Sequence, residues 1–378
     1  MQNVFMTNIH IKKVRHLQNM DIYISDTERK HLILTGKNGS GKTSLLEAMR
    51  DSVLYQQQAI RQDGTRLLRY TGLKNPDINI LYSHNIPNFS NVIFVYIPAE
   101  RSTFTLPSAI EIVNIDEKTK VTRDASKDFL KYILNLDYQL YGAMADNNES
   151  NTNNLNKWFE NLLAALRNIY DCQELKLQRD TKNLSFNIIL PDREPFTLNE
   201  MADGYAAFIK IVMELIMRLE LTDAIVEYEK PAIVMIDEIE THLHVDLQKR
   251  ALPFLTQMFP NVQFIVSTHS PFVISSLKNA VIFDLEKNRR VEDLSTFSWE
   301  TIVESYFDIN QYSHVIEKKF IRYKELFSAE KRNRDEEKEF SSLRAELSLV
   351  SPAQKELYFA FQQYEARRKA EKGGKNSD

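Results

Sequence analysis

Between the apolar run "HLILT" and the helical pattern "SLLEAMRDSV", residues Gly36 to Thr43 read "GKNGSGKT", a G-x-x-x-x-G-K-T spacing. Glycines this dense let a chain turn tightly enough for successive N–H groups to point inward, and a helix beginning near Lys42 adds the positive end of its dipole. Such a cradle suits the phosphates of a nucleoside triphosphate. Gly36, Lys37, Asn38, Gly39, Ser40, Gly41 and Ser44 would wrap it, Lys42 would reach the β- and γ-phosphates, and the Thr43 hydroxyl would take one position on Mg²⁺. The alternative is an accidental glycine-rich turn, but the chain has only 9 glycines and three of them fall inside this octet.

A second stretch, "AIVMIDEIETHLH", ends an apolar run in two adjacent acids, Asp237 and Glu238. At the C-terminal edge of a buried parallel strand, where ligands of open α/β sheets bind, neighbouring residues face opposite ways and can hold different jobs. Asp237 suits a Mg²⁺ ligand shell; Glu238 suits a base that orients or deprotonates a water in line with the γ-phosphate. Strand capping alone is the plainer alternative. "FIVSTHSP" ends another apolar run in Thr268, His269 and Ser270, and a neutral His269 there would hydrogen-bond a γ-phosphate oxygen. A structural histidine at a strand end is its rival. His242 and His244 have ligand-like company in Asp237 and Asp246, but the segment reads better as a turn from the acids into the next helix.

These groups need a sheet to hold them, and the pattern supplies one. "NVFMTNIHIKKV", "MDIYIS", "HLILTG", "NVIFVYIPAER", "PAIVMID", "NVQFIVSTHS" and "NAVIFDLE" read as strands, interleaved with helical "SGKTSLLEAMRDSVLYQQQA" and "HVDLQKRALPFLTQMF". That alternation predicts an α/β fold. Residues 103–195 differ in texture: two amphipathic helices, "SKDFLKYILNLDYQLYGAM" and "LNKWFENLLAALRNIY", flank the Asn-rich "DNNESNTNNLN", which reads as a loop, and "ELKLQRD" and "NLSFNIIL" follow as a hairpin. The expected organisation is a sheet lobe over 1–102, an inserted, mostly helical lobe over 103–195, a second sheet lobe over 196–292 and a charged helical tail over 293–378. In the tail, Ser351 and Pro352 form a helix start.

Bulk properties narrow the class. The chain has 378 residues, 43% hydrophobic and 26% charged, with a net charge of -4, which argues against gripping nucleic acid by bulk charge while leaving room for a local basic groove. Its single cysteine, Cys172, cannot build a disulfide framework or a thiolate zinc site, and a reducing cytosol is the expected setting. The apolar helix "AAFIKIVMELIM" carries Lys210 and Glu214, so no membrane span is expected.

Taken in order, the Gly36–Thr43 octet, "ADGY" opening a helix at residues 202–205, the acids Asp237 and Glu238, and "STHS" resemble the motif series of ABC-class P-loop ATPases of the SMC, RecF, RecN and OLD group. "MTNIHIKKVRHLQNMDIYIS" is similar to that group's first antiparallel strands, and "IDEIETHLHVDLQ" to the OLD-type segment. The resemblance implies ATP and Mg²⁺ as cofactors and a site completed between two heads. Asp203 and Gly204 of one copy would then lie against the γ-phosphate held by the other, with Lys13 and Arg15 near the base and phosphates. A core helix remains the alternative for Asp203 to Leu215. The usual serine before the glycine is absent, with Ala202 and Asp203 there instead. "YIPAER" stands where the group carries a glutamine loop; no glutamine is present, leaving Glu100 and Arg101 as nucleotide contacts or a structural ion pair.

The resemblance further implies a cytoplasmic ATP hydrolase that pairs around ATP, close to compact OLD-like ATPases of antiphage systems such as Septu and retron operons, where a separate HNH or Toprim nuclease would be the effector. RecF-like DNA repair and a slow-turnover, nucleotide-dependent scaffold are the rivals.

Overall fold

The computed structural model describes residues 4–58, 77–83, 92–100, 128–180, 183–219, 231–297, 302, 314–329, 332–348 and 361–364. Arg101 and the helix start at Ser351 lie outside them. The chain divides into two compact units, Met1–Phe297 and Ser298–Asp378.

The first unit is built on a six-stranded sheet with strand order β12-β11-β3-β10-β9-β5. Its strands are β3 (His31–Thr35), β5 (Ile93–Ile97), β9 (Ala232–Ile236), β10 (Val262–Ser267), β11 (Ala280–Asp284) and β12 (Arg289–Glu292). All neighbours run parallel except β12, which returns antiparallel beside β11. β3, β9, β10 and β11 are buried at every position, as expected of parallel strands covered on both faces.

A three-stranded antiparallel sheet, order β2-β1-β4, combines β1 (Met6–Val14), β2 (Leu17–Tyr23) and β4 (Asp77–Tyr82). Its inner residues, among them Ile9, Ile11 and Ile22, share one core with Leu45, Leu46 and Met49 of α1 (Lys42–Gln58) and with Leu32 and Phe94 of the central sheet. Gln263, fully buried at the start of β10, bridges the two sheets: its Oε1 accepts the Met6 N–H at 2.7 Å, and its Nε2 donates to the Met6 and Lys30 carbonyls at 3.0 and 2.8 Å. An amide with both ends satisfied is a tolerable core residue.

The intervening segment contributes α2 (Phe129–Ala145), α3 (Glu149–Tyr170) and a small sheet of β6 (Lys176–Asp180), β7 (Ser185–Ile189) and β8 (Phe196–Thr197). The Asn-rich "DNNESNTNNLN" is not a loop over its length. Asn148 is an N-cap whose side chain accepts the Asn151 N–H, and the run from Glu149 forms the first turns of α3. Asparagine is a poor mid-helix residue but a strong cap, and here the exposed polar turns extend a helix anchored by buried Leu155, Trp158 and Leu162.

A short 3₁₀ turn (Leu198–Glu200) leads into α4 (Asp203–Leu219), which buries nearly its whole circumference beyond Ala207. Glu214 is carried inside it because Arg218 Nε donates to Glu214 Oε1 at 2.5 Å and the two charges are buried together. α5 (Val245–Met258) and the one-turn α6 (Pro271–Ile274) complete the unit.

In the second unit, α7 (His314–Ser328) and α8 (Arg334–Leu347) pack around Phe320, Tyr323, Phe340 and Phe361, with Tyr323 and Phe340 stacked at 5.0 Å. α8 starts from a capping box: Asn333 accepts the Glu336 N–H at 2.9 Å and Glu336 accepts the Asn333 N–H at 2.9 Å.

Candidate functional site

The glycine-rich octet leaves the buried end of β3 and enters α1, the strand–turn–helix context that a phosphate cradle requires. Gly36 and Gly41 take φ values of 132° and 98°. A Cβ on Gly41 would stand 3.1 Å from both His16 and Leu17, so the turn is conformationally and sterically reserved for glycine. Lys37, Asn38 and Gly39 are exposed, Ser40 and Ser44 are half-buried, and Thr43, in the first turn of α1, is exposed. Lys42 is buried: its ammonium donates to the Gly36 and Lys37 carbonyls at 2.8 and 3.1 Å, inside the loop it would share with an anion. Burial lowers the Lys42 pKa, while Glu238, Glu240, Asp237 and Asp284 pull it back up.

Beside β3 lies β10, and beyond it β9, so the octet, the acids and His269 emerge along one edge of the sheet. Asp237 is 2% exposed, and its Oδ1 accepts the Ser267 hydroxyl at 2.5 Å. The same Ser267 Oγ accepts the Glu238 N–H at 2.7 Å, where Glu238 sits in the left-handed region at φ 44°. Ile239 N–H donates to the Ser267 carbonyl at 3.2 Å, and Glu240 Oε1 accepts the His269 N–H at 2.5 Å. Residues 237 to 240 are therefore bonded to Ser267 and His269, beyond the last β9–β10 pair at Ile236 and Val266.

Glu238 Oε2 also accepts the Thr241 hydroxyl at 3.1 Å. Burial holds the His269 pKa below the usual histidine range, with the Lys42 charge acting in the same direction, which keeps the ring neutral. Ser270 caps α6 by accepting from Phe272 and Val273, and its hydroxyl donates to Gln248 Oε1 at 2.7 Å.

The remaining expected site residues stand elsewhere in the unit. Gly204 opens α4 against the chain's own turn after the acids: a Cβ there would lie 2.8 Å from the His242 carbonyl oxygen and 3.7 Å from the His244 nitrogen. Asp203 precedes it, exposed. Lys13 is exposed on β1, paired in register with Gln18 and Asp77, and Arg15, 72% exposed, reaches Glu47 of α1 at 3.8 Å. It is His16, in the same β1–β2 turn, whose ring Nε2 meets the Ser40 carbonyl at 3.1 Å. Glu100 is exposed.

Sequence reasoning passed over Ser267, Glu240 and His16. Only a small polar residue at the end of an apolar strand, or an acid three positions after Asp237, could have flagged the first two. Among the described residues, no three His, Cys, Asp or Glu side chains gather as a metal site, at His242 and His244 or elsewhere. The donor set suits a triphosphate with a hard cation: a glycine-rich turn into a helix N-terminus, a buried lysine, an exposed threonine and a carboxylate at one sheet edge.

A family model described as "AAA domain, putative AbiEii toxin, Type IV TA system" matches residues 116–275. The Septu protein PtuA of Bacillus mycoides (strain KBAB4) is 24% identical over 91% of this chain and 50% of its own length. In these matches and in its glycine-rich cradle the chain is similar to ABC-like P-loop ATPases of the OLD and SMC group. The retron Ec83 probable ATPase of Escherichia coli is 28% identical over 36% of this chain and 26% of its own length. The matched region thus spans half or less of these relatives. Among solved structures, the SmcHead bound to the C-winged helix domain of ScpA covers 75% of this chain and 94% of its own at 11% identity and a TM-score of 0.39, too loose an overlap to carry residue roles across. Among the described residues, no helix is long and apolar enough to cross a membrane.

Proposed function

We propose that this ATPase binds ATP with Mg²⁺ and hydrolyses it, that two copies pair around the nucleotide, and that the cycle regulates a separate effector in bacterial antiphage defence. The observation that carries the catalytic part is the bonded ladder between Asp237–Glu240 and Ser267–His269, beside the cradle that holds Lys42. Preorganised groups aimed at a developing charge are the main source of phosphoryl-transfer catalysis.

In this reading the N–H groups of the Gly36–Thr43 loop and the Lys42 ammonium take the β- and γ-phosphates. Mg²⁺ would be held by Thr43 and Asp237 and would neutralise phosphate charge. Glu238 orients the attacking water and accepts its proton, and the neutral His269 ring hydrogen-bonds a γ-phosphate oxygen. Asp203 and Gly204 would face the nucleotide of the second copy through the backbone N–H groups of Gly204 and Tyr205, and Lys13 and Arg15 would flank the nucleotide.

The likeness to a Septu protein and a retron ATPase supports the antiphage setting. A nuclease of HNH or Toprim type is the effector class proposed, with residues 293–378 as its docking element. Phosphate release from Mg-ATP tests the enzymatic claim. The wild type turns over, Lys42→Ala loses nucleotide binding, and Glu238→Gln keeps binding while its turnover falls by about 100-fold or more. A wild type that binds no ATP contradicts the proposal.

A further inference from the structure

The carboxylate of Glu240 lies at this sheet edge, and the proposed reaction leaves it without a task. It does not point into solvent. Its Oε1 accepts the His269 backbone N–H at 2.5 Å, and its Oε2 is occluded with no hydrogen-bond partner among the described residues. The Glu240 backbone carbonyl accepts the Leu243 N–H at 2.8 Å, so the residue also closes the turn that follows Glu238. The bond to His269 joins two segments that share no strand pairing at this point, since the β9–β10 register ends at Ile236 and Val266.

Beyond that register a backbone is free to splay unless something holds it, and a misplacement of about 1 Å at a reacting centre is enough to cost on the order of 100-fold in rate. Ser267 holds the near end of the gap through Asp237 and Glu238. Glu240 holds the far end, at the residue whose ring is to read the γ-phosphate. We infer that Glu240 is a positioning residue, whose carboxylate fixes the His269 backbone relative to the turn carrying Glu238 and so sets the distance between the base and the γ-phosphate contact. This inference rests on the ATPase reading above and gives a task to an acid which that reading leaves unassigned.

Two substitutions separate reach from charge. Glu240→Gln keeps the length and an acceptor oxygen for the His269 N–H but loses the charge; Glu240→Asp keeps the charge and loses the reach. Measured by phosphate release, and by displacement of a fluorescent ATP analogue with ATP or ADP, Glu240→Gln keeps kcat and the ATP-over-ADP preference within about threefold of wild type. Glu240→Asp loses about tenfold or more in both, with affinity for ADP little changed. In a His269→Ala background the loss from Glu240→Asp shrinks, because the two act as one unit. Thermal melting of each variant confirms that the folded chain is compared. A Glu240→Asp variant with wild-type kcat, a Glu240→Gln variant as poor as Glu240→Asp, or an undiminished loss in the His269→Ala background overturns the inference while leaving the ATPase reading intact. A wild type that binds neither nucleotide removes that reading first.

Discussion

A side-chain carbon on Gly204 would stand 2.8 Å from the carbonyl oxygen of His242, closer than carbon and backbone oxygen can approach. The start of α4 is thus locked to the turn that follows Asp237 and Glu238 within one copy, and His242 itself sits in the left-handed region at φ 67°. The family resemblance implies a close approach of Gly204 to a partner's phosphate; the fold adds a close approach within the chain itself. Because the obstacle is backbone, Gly204→Ala forces α4 or the turn to move, at a cost of about 1–3 kcal/mol. Melting of the nucleotide-free protein should drop by several degrees; an unchanged melting temperature would mean that the contact yields freely.

Ser267 is fully buried and serves both acids at once, donating to Asp237 and accepting from the Glu238 N–H. Ser267→Ala removes both bonds while keeping the volume nearly constant, and each buried bond lost costs about 1–3 kcal/mol. Glu238 is held in a left-handed conformation partly by that bond. Turnover should therefore fall by about tenfold or more, with a smaller change in KM, in steady-state phosphate release; a Ser267→Ala enzyme with wild-type kcat would remove Ser267 from the site.

His31 gives the fold a pH limit. Its ring is buried, Nδ1 accepts the Phe264 N–H at 3.0 Å, and burial pushes its pKa from 6.5 down to about 4. As pH falls below 6.5 the unfolded chain takes up a proton that the folded chain refuses, so the stability is whole above 6.5 and is lost progressively down to about pH 4. Between pH 7 and pH 5 the loss from this group is about 2 kcal/mol. Urea titrations at the two pH values measure it, and in His31→Gln the difference should shrink accordingly.

Much of the fold was readable because its signals are local. The apolar runs at His31–Thr35, Ala232–Ile236 and Val262–Ser267 announce buried parallel strands, and three glycines before Lys42 announce a turn into a helix. Ser267 and Glu240 were not readable in the same way. Their partners lie 30 and 29 residues away, and their use depends on β9 and β10 being neighbours in the sheet, a fact of topology rather than of local pattern. The Asn-rich stretch before Leu155 misled for the converse reason: its composition favours a loop, but one asparagine cap and the buried face beyond it decide for helix.

The central claim, a site shared between two ATP-bound copies, is tested most directly by the solution mass of Glu238→Gln, which should bind ATP without turning it over. Light scattering of this variant with Mg-ATP should give twice the mass found with ADP or without nucleotide. A single-copy mass under saturating Mg-ATP, in a protein that still binds the nucleotide, would contradict the shared site.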